Sequence, residues 1–103
     1  MSGISTHILD TAEGRPAPGI QVKLFQGDRQ IGAGVTDANG RCPDLLTEPL
    51  QSGTYRMVFD ILPRFPNGFY PEISITFLVR DPSTHYHLPL LISPFGFTTY
   101  RGS

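Results

Sequence analysis

His85 and His87 stand two residues apart in a segment, His85 to Ile92, that reads as a β-strand. Side chains two apart on a strand share a face, which sets the two imidazoles with β-carbons roughly 7 Å apart. A third histidine, His7, lies in the strand-like run Ile4 to Leu9, on the face it shares with Ser5 and Leu9. If the first and penultimate strands meet, directly or across an interface, the three imidazoles form one cluster. Such a cluster has two chemical uses. A neutral imidazole with a pKa near 6.5 takes a proton from water at neutral pH. Three histidines also satisfy the open zinc geometry used for hydrolysis. Spacing alone does not choose between them, and an isolated strand histidine is ordinarily solvated or hydrogen-bonded without further purpose.

Arg41 directly follows Asn39-Gly40, a pair that favours a turn with positive φ. A turn there projects the guanidinium from the end of a β-sandwich, where its planar fork recognises carboxylate-like or imide-like oxygens two at a time. A cation beside an imidazole also keeps that ring in its basic form. Cys42 is next to Arg41, but no neighbouring sequence supplies a base, so it reads as a semi-buried thiol. Arg15, Arg29, Arg56, Arg64 and Arg80 are scattered and receive no functional assignment. The nucleophile elbow G-x-S-x-G, the P-loop, G-x-G-x-x-G and H-E-x-x-H do not occur. Gly32-Ala33-Gly34 is too isolated to carry meaning.

The elements that must hold these residues are short runs of Ile, Val, Phe, Tyr and Thr, each bounded by Gly, Pro, Asn or Asp, the pattern of an all-β sandwich. Seven or eight strands are predicted. After Ile4 to Leu9 come Ile20 to Phe25, Ile31 to Thr36, Thr54 to Asp60, Ile73 to Val79, His85 to Ile92, and Phe95 to Arg101. Pro89 points to an edge or a bulge in the penultimate strand. The stretch from Cys42 to Ser52 is predicted irregular, with Leu45, Leu46 and Leu50 free to plug an end of the sandwich. Its only helix candidate, Pro43 to Leu50, has room for a turn at most. Leu62 to Pro71, interrupted by three prolines, is predicted to be an exposed connection.

Composition narrows the class. Eight Lys and Arg against nine Asp and Glu give a formal net charge of −1, so no basic surface recruits nucleic acid or anionic membrane. The 39% hydrophobic content is that of a globular chain, and 103 residues close one core, so one domain over residues 1–103 is expected. A core of this size leaves much surface uncovered, which makes oligomerisation a natural supplement. The single cysteine excludes an intrachain disulfide framework and points to a reducing compartment. No apolar run approaches a membrane span and the first residues carry no export pattern, so a cytoplasmic protein is expected.

With these residues in view, the sequence resembles the 5-hydroxyisourate hydrolases, the transthyretin-related proteins. The likeness rests on Ser5-Thr6-His7-Ile8-Leu9-Asp10 followed by Gly14-Arg15-Pro16-Ala17, on Asn39-Gly40-Arg41, on Phe69-Tyr70-Pro71-Glu72, and on the run from His85 to Ser103. The ending Tyr100-Arg101-Gly102-Ser103 separates these hydrolases from transthyretin itself. The resemblance spans residues 4 to 103.

That resemblance implies a transthyretin-like sandwich of two four-stranded sheets, assembled as a homotetramer with active sites at the dimer-dimer interface. It also implies hydrolytic opening of the six-membered ring of 5-hydroxyisourate, without a cofactor or metal. By motif match, His7, Arg41 and His87 form the catalytic group, while His7, Arg41, His85, Tyr100 and Ser103 meet the substrate. Two rivals stand beside this reading: a transthyretin-like binding protein without catalysis, and a zinc site made by His7, His85 and His87. The sequence departs from the family pattern in Gln26 to Val35, which lacks a tryptophan, in Asn39 for a common aspartate, in Asp60 to Gly68, and in Phe97 for a common tyrosine.

Overall fold

Wherever apolar residues alternate with polar ones the chain extends, and its inward side chains meet in one core. The computed structural model describes residues 3–103. They form nine strands: β1 (Ile4–Asp10), β2 (Arg15–Pro16), β3 (Gln21–Gln26), β4 (Arg29–Val35), β5 (Arg41–Cys42), β6 (Gly53–Asp60), β7 (Glu72–Val79), β8 (Tyr86–Ser93) and β9 (Gly96–Thr99). One sheet has the order β2-β1-β8-β9, with β5 also paired to β1, and the other has the order β4-β3-β6-β7. The two expected four-stranded sheets are thus present, and the first carries a fifth, two-residue strand. The free edge of β1 is long enough to be shared: β5 pairs at Thr6 and His7, and β2 at Leu9 and Asp10.

The core lies between the sheets. Ile4, Ile8, Leu90 and Ile92 from the first face Val22, Leu24, Met57, Phe59, Ile73 and Val79 from the second, all buried. Thr6 points inward as well, and its hydroxyl donates to the Leu88 carbonyl, so it leaves no unpaired polar group. Gly27-Asp28 closes the β3–β4 hairpin, and Gly27 has φ 61°, which a two-residue hairpin turn asks of its first central position.

Residues 43–52 contain no helix, and Leu45 and Leu50 are buried with Leu46 packed beside them, the plug expected from the sequence. The Leu45 N–H donates to the Ile4 carbonyl, which fastens the plug to β1. Gly32 and Gly34 gain a role here. A β-carbon at Gly32 would collide with the Leu45 carbonyl, and one at Gly34 would stand 2.5 Å from Cys42 Sγ. The glycines let the plug lie directly on β4.

Pro89 is neither at an edge nor in a bulge. It sits within β8, between β1 and β9, where the β8–β9 ladder ends at Leu90↔Thr99 and resumes in the same register at the His87↔Gly102 bridge. The carbonyls of His87 and Pro89 both accept from the last segment, from the Gly102 N–H and the Thr99 hydroxyl. The N–H that proline lacks would have pointed the same way, so the gap in the ladder coincides with the missing donor.

The connection between β6 and β7 is exposed at Phe69 but pinned at Arg64. Arg64 Nε and Nη2 donate to Asp10 Oδ2 at 3.0 and 2.8 Å, while Asp10 Oδ1 accepts from the Ala12 and Glu13 N–H groups. Asp10 is buried and fully engaged, so this pair ties the connection to the end of β1.

Candidate active site

The pairing of β1 with β8 decides where the chemistry-bearing residues stand. It is the one parallel pairing among the described residues, running from Ile4↔Tyr86 to Asp10↔Ile92, with Ser5 opposite His87 and His7 opposite Pro89. Because Thr6 and Ile8 face the core, Ser5 and His7 face away from it, and His87 shares that outer face. On the other side of β1, His7 pairs with Arg41 of β5. The sheet therefore gathers His7, Arg41, Ser5 and His87 on one face from three strands and opposite ends of the chain.

The turn that delivers Arg41 is built by Asp37. Its Oδ1 accepts from the Asn39 and Arg41 N–H groups, and its backbone exchanges bonds with Gly40 and Arg41. Gly40 adopts φ 73°, as the Asn-Gly pair predicts, and its carbonyl accepts from the Ile8 N–H. A β-carbon at Gly40 would lie 2.5 Å from the Ile8 carbonyl, so only glycine lets the turn lie against β1. Neither ion pair among the described residues, Arg29–Glu48 or Arg64–Asp10, engages Arg41.

Between the paired histidines lies a residue the sequence did not single out. Ser5 Oγ is 2.8 Å from His85 Nε2 and 2.8 Å from His87 Nδ1. The alternation that put Ser5 on the face of His7 was legible, but only the β1–β8 register shows that it meets both imidazoles. His85 is exposed and His87 half-buried. Among the described residues no three His, Cys, Asp or Glu side chains group as metal ligands.

The last residues close the site from the other side. The Gly102 N–H donates to the His87 carbonyl, and a β-carbon at Gly102 would lie 2.6 Å from His87 Cδ2 and 3.0 Å from Pro89 Cγ. The segment is held by Arg101, whose guanidinium sits 4.6 Å from the centre of the Tyr86 ring. The Tyr86 hydroxyl accepts from the Asp81 N–H and donates to the Asp81 carbonyl. Tyr100 is exposed, and with His87, Tyr86, Phe77, Leu78 and Arg101 it lines a cavity of about 280 Å3 at the open edge between the sheets. Ser103 is exposed and follows directly on Gly102. His7, Arg41 and His87 are thus brought together, His85 joins through Ser5, and Tyr100 and Ser103 flank His87.

Electrostatics favour a neutral His87. Partial burial pushes its pKa below the ordinary 6.5, and the nearby His7, His85 and Arg41 push it further the same way. Cys42, by contrast, has its thiol pKa raised, first by burial and then by Asp37 and Asp44, so it is unreactive as well as buried.

A nine-stranded sandwich with imidazoles and a guanidinium gathered on the outer face of one sheet defines an all-β protein of the transthyretin fold. The chain belongs to the HIUase/Transthyretin family, whose model matches residues 4–102. It is 40% identical to the 5-hydroxyisourate hydrolase of Caulobacter vibrioides over the full length of both chains. Among solved structures it resembles the 5-hydroxyisourate hydrolase of Klebsiella pneumoniae, with a TM-score of 0.91, 36% identity and full coverage of both. It also resembles transthyretin from Sparus aurata, with a TM-score of 0.86 and 33% identity over 99% of this chain and 97% of that one.

Proposed function

We propose that residues 1–103 act as one domain that hydrolyses 5-hydroxyisourate to 2-oxo-4-hydroxy-4-carboxy-5-ureidoimidazoline, a step of urate degradation, with no metal or cofactor. The observation that carries the reading is the register that puts His7 beside Arg41 and His87 across from Ser5, in a chain 40% and 36% identical to two 5-hydroxyisourate hydrolases. His87, with His7 beside it, holds the attacking water and takes its proton, because a half-buried imidazole near the Arg41 guanidinium stays neutral and free to accept it. The water oxygen bonds to the ring carbonyl carbon. Arg41 grips substrate oxygens and stabilises the charge that develops on the carbonyl oxygen as the C–N bond breaks. His85, Tyr100 and Ser103 contact the substrate around this group.

The outer face of the first sheet is open in the single chain, with Arg41 and Tyr100 exposed, which supports assembly as a homotetramer whose sites lie at the dimer-dimer interface. A cytoplasmic location is supported by the lone reduced cysteine. The test generates 5-hydroxyisourate from urate with urate oxidase and follows its ultraviolet decay with a chelator present. Faster decay with the protein, lost in Arg41→Ala and His87→Ala, is the expected result. Unchanged decay with a folded protein favours instead a small-molecule carrier, the reading that the likeness to sea bream transthyretin keeps in view.

A further inference from the structure

We propose that Ser5 is a positioning residue that couples His87 to His85 as a proton relay, a role that rests on the hydrolase reading with His87 as base. Ser5 is buried to 8% exposure, and its Oγ lies 2.8 Å from one nitrogen of each ring. A hydroxyl has one proton to give. With these two partners and no other side-chain partner among the described residues, Ser5 donates to one imidazole while the other donates its own N–H to Ser5. The tautomers of the two rings are therefore linked through the hydroxyl. For His87 to offer a free Nε2, its Nδ1 carries the proton and donates to Ser5 Oγ. Ser5 then donates to His85 Nε2, and His85 carries its proton on Nδ1.

The relay answers an electrostatic difficulty. A proton taken from water would place a positive charge on His87, which is half-buried and shares its face with His7 on β1 and Arg41 on β5. His85 is exposed, and its Nδ1 and Asp44 Oδ1 each lie 3.5 Å from the point a β-carbon on Gly3 would occupy. The charge is better accommodated there.

The proton count closes as follows. The O–H bond of water breaks and an N–H bond forms at His87 Nε2, while the oxygen bonds to the substrate carbonyl carbon. The Nδ1 proton of His87 passes to Ser5 Oγ as the Ser5 proton passes to His85 Nε2, so the positive charge resides on His85. As the C–N bond breaks, the two relay protons return, so that His87 is again an imidazolium and gives its Nε2 proton to the leaving nitrogen. Both rings then hold their resting tautomers with no net gain or loss.

The test reads the ring nitrogens directly, by 15N nuclear magnetic resonance of the protein without substrate, alongside turnover of wild type, Ser5→Ala and Ser5→Thr. In the wild type at neutral pH both His85 and His87 are expected to carry their proton on Nδ1. Ser5→Ala should shift His87 to the Nε2–H form common in free histidine and lower kcat by about tenfold to a hundredfold, up to the lower end of general acid-base effects, with KM little changed. Ser5→Thr should restore both. Wild-type turnover in mixtures of light and heavy water should fall along a curve, since several protons move together, and the curve should straighten in Ser5→Ala. Should Ser5→Ala not fold, His85→Asn at the exposed end of the relay is expected to give the same kcat loss and the same straightening. The relay is overturned by Nε2–H on His87 in the wild type, by wild-type kcat in Ser5→Ala, or by His85→Asn raising KM alone. Failure of the wild type to accelerate 5-hydroxyisourate decay would sink the hydrolase reading instead, and the tautomer measurement does not depend on it.

Discussion

Gly102→Ala adds one methyl group in the place where the last segment crosses His87. Its β-carbon would begin 2.6 Å from His87 Cδ2, 3.3 Å from His87 Cγ and 3.0 Å from Pro89 Cγ. Carbon atoms settle at about 3.5 Å or more, so the shortest contact must open by about 0.9 Å. The backbone of Gly102 is not in the left-handed region, so the clash alone is at issue. The imidazole is held at Nδ1 by Ser5, and the segment is held by the Gly102–His87 backbone bond and by Arg101 on Tyr86. Where the imidazole yields, His87, the base of the proposed mechanism, moves relative to Arg41 and His7 by close to 1 Å. A displacement of that size costs about a hundredfold in rate, or about 2.7 kcal/mol in the barrier at 1.36 kcal/mol per decade. Stability should change by only about 1 kcal/mol, the worth of one backbone hydrogen bond. Turnover is measured by ultraviolet decay of freshly generated 5-hydroxyisourate, and folding by urea titration. Gly96→Ala serves as a control, since its β-carbon would make an ordinary contact, 3.7 Å from Ser93 Oγ. If Gly102→Ala keeps kcat within about threefold of wild type while folded, positioning of His87 by this segment is wrong, because such a shift cannot be silent at a base.

The acid limb of the kcat/KM profile should have its midpoint below pH 6.5, because burial and the neighbouring charges lower the His87 pKa, and Arg41→Gln should move that midpoint upward as it reduces the rate. The same shift makes the fold less stable as pH falls below 6.5 and through the folded-state pKa, since the unfolded chain binds the proton first; urea titrations at a series of pH values read the slope. Arg64→Ala leaves the buried Asp10 carboxylate without its cation and should destabilise the fold by about 3 kcal/mol in a urea titration. Gly32→Ala drives a methyl group into the Leu45 carbonyl and should cost at least about 2 kcal/mol, seen as a lowered thermal midpoint.

Much of the fold is written in side-chain period. Ile4, Thr6 and Ile8, or Tyr55, Met57 and Phe59, point one way because residues two apart on a strand must, and all six are buried. The histidine pair and the Asn-Gly-Arg turn are legible for the same reason, each being a local rule acting on adjacent residues. What was hidden depends on partners distant in sequence. Ser5 is an ordinary small polar residue until β8 is set beside it, 82 positions away. Gly32 and Gly34 look incidental until residues 42–45 settle on them. Pro89 was expected at an edge or a bulge because proline lacks a donor, yet a ladder that skips one position accommodates that loss inside a sheet. The fifth strand was missed because two residues carry no periodicity.

The parallel pairing of β1 and β8 has a consequence for how the protein comes into being. The second sheet is made from β3, β4, β6 and β7, each antiparallel to its neighbours, with β3–β4 and β6–β7 joining strands close along the chain. The first sheet cannot close until the opening residues meet the final twenty, which demands the largest loop closure in the molecule. His7 and His87 belong to those two ends. On the proposed mechanism, catalytic competence therefore awaits the joining of β1 and β8. Recovery of turnover after dilution from denaturant should trail the burial of Tyr55 in the second sheet, which makes the enzyme's own activity a clock for the joining of its two ends.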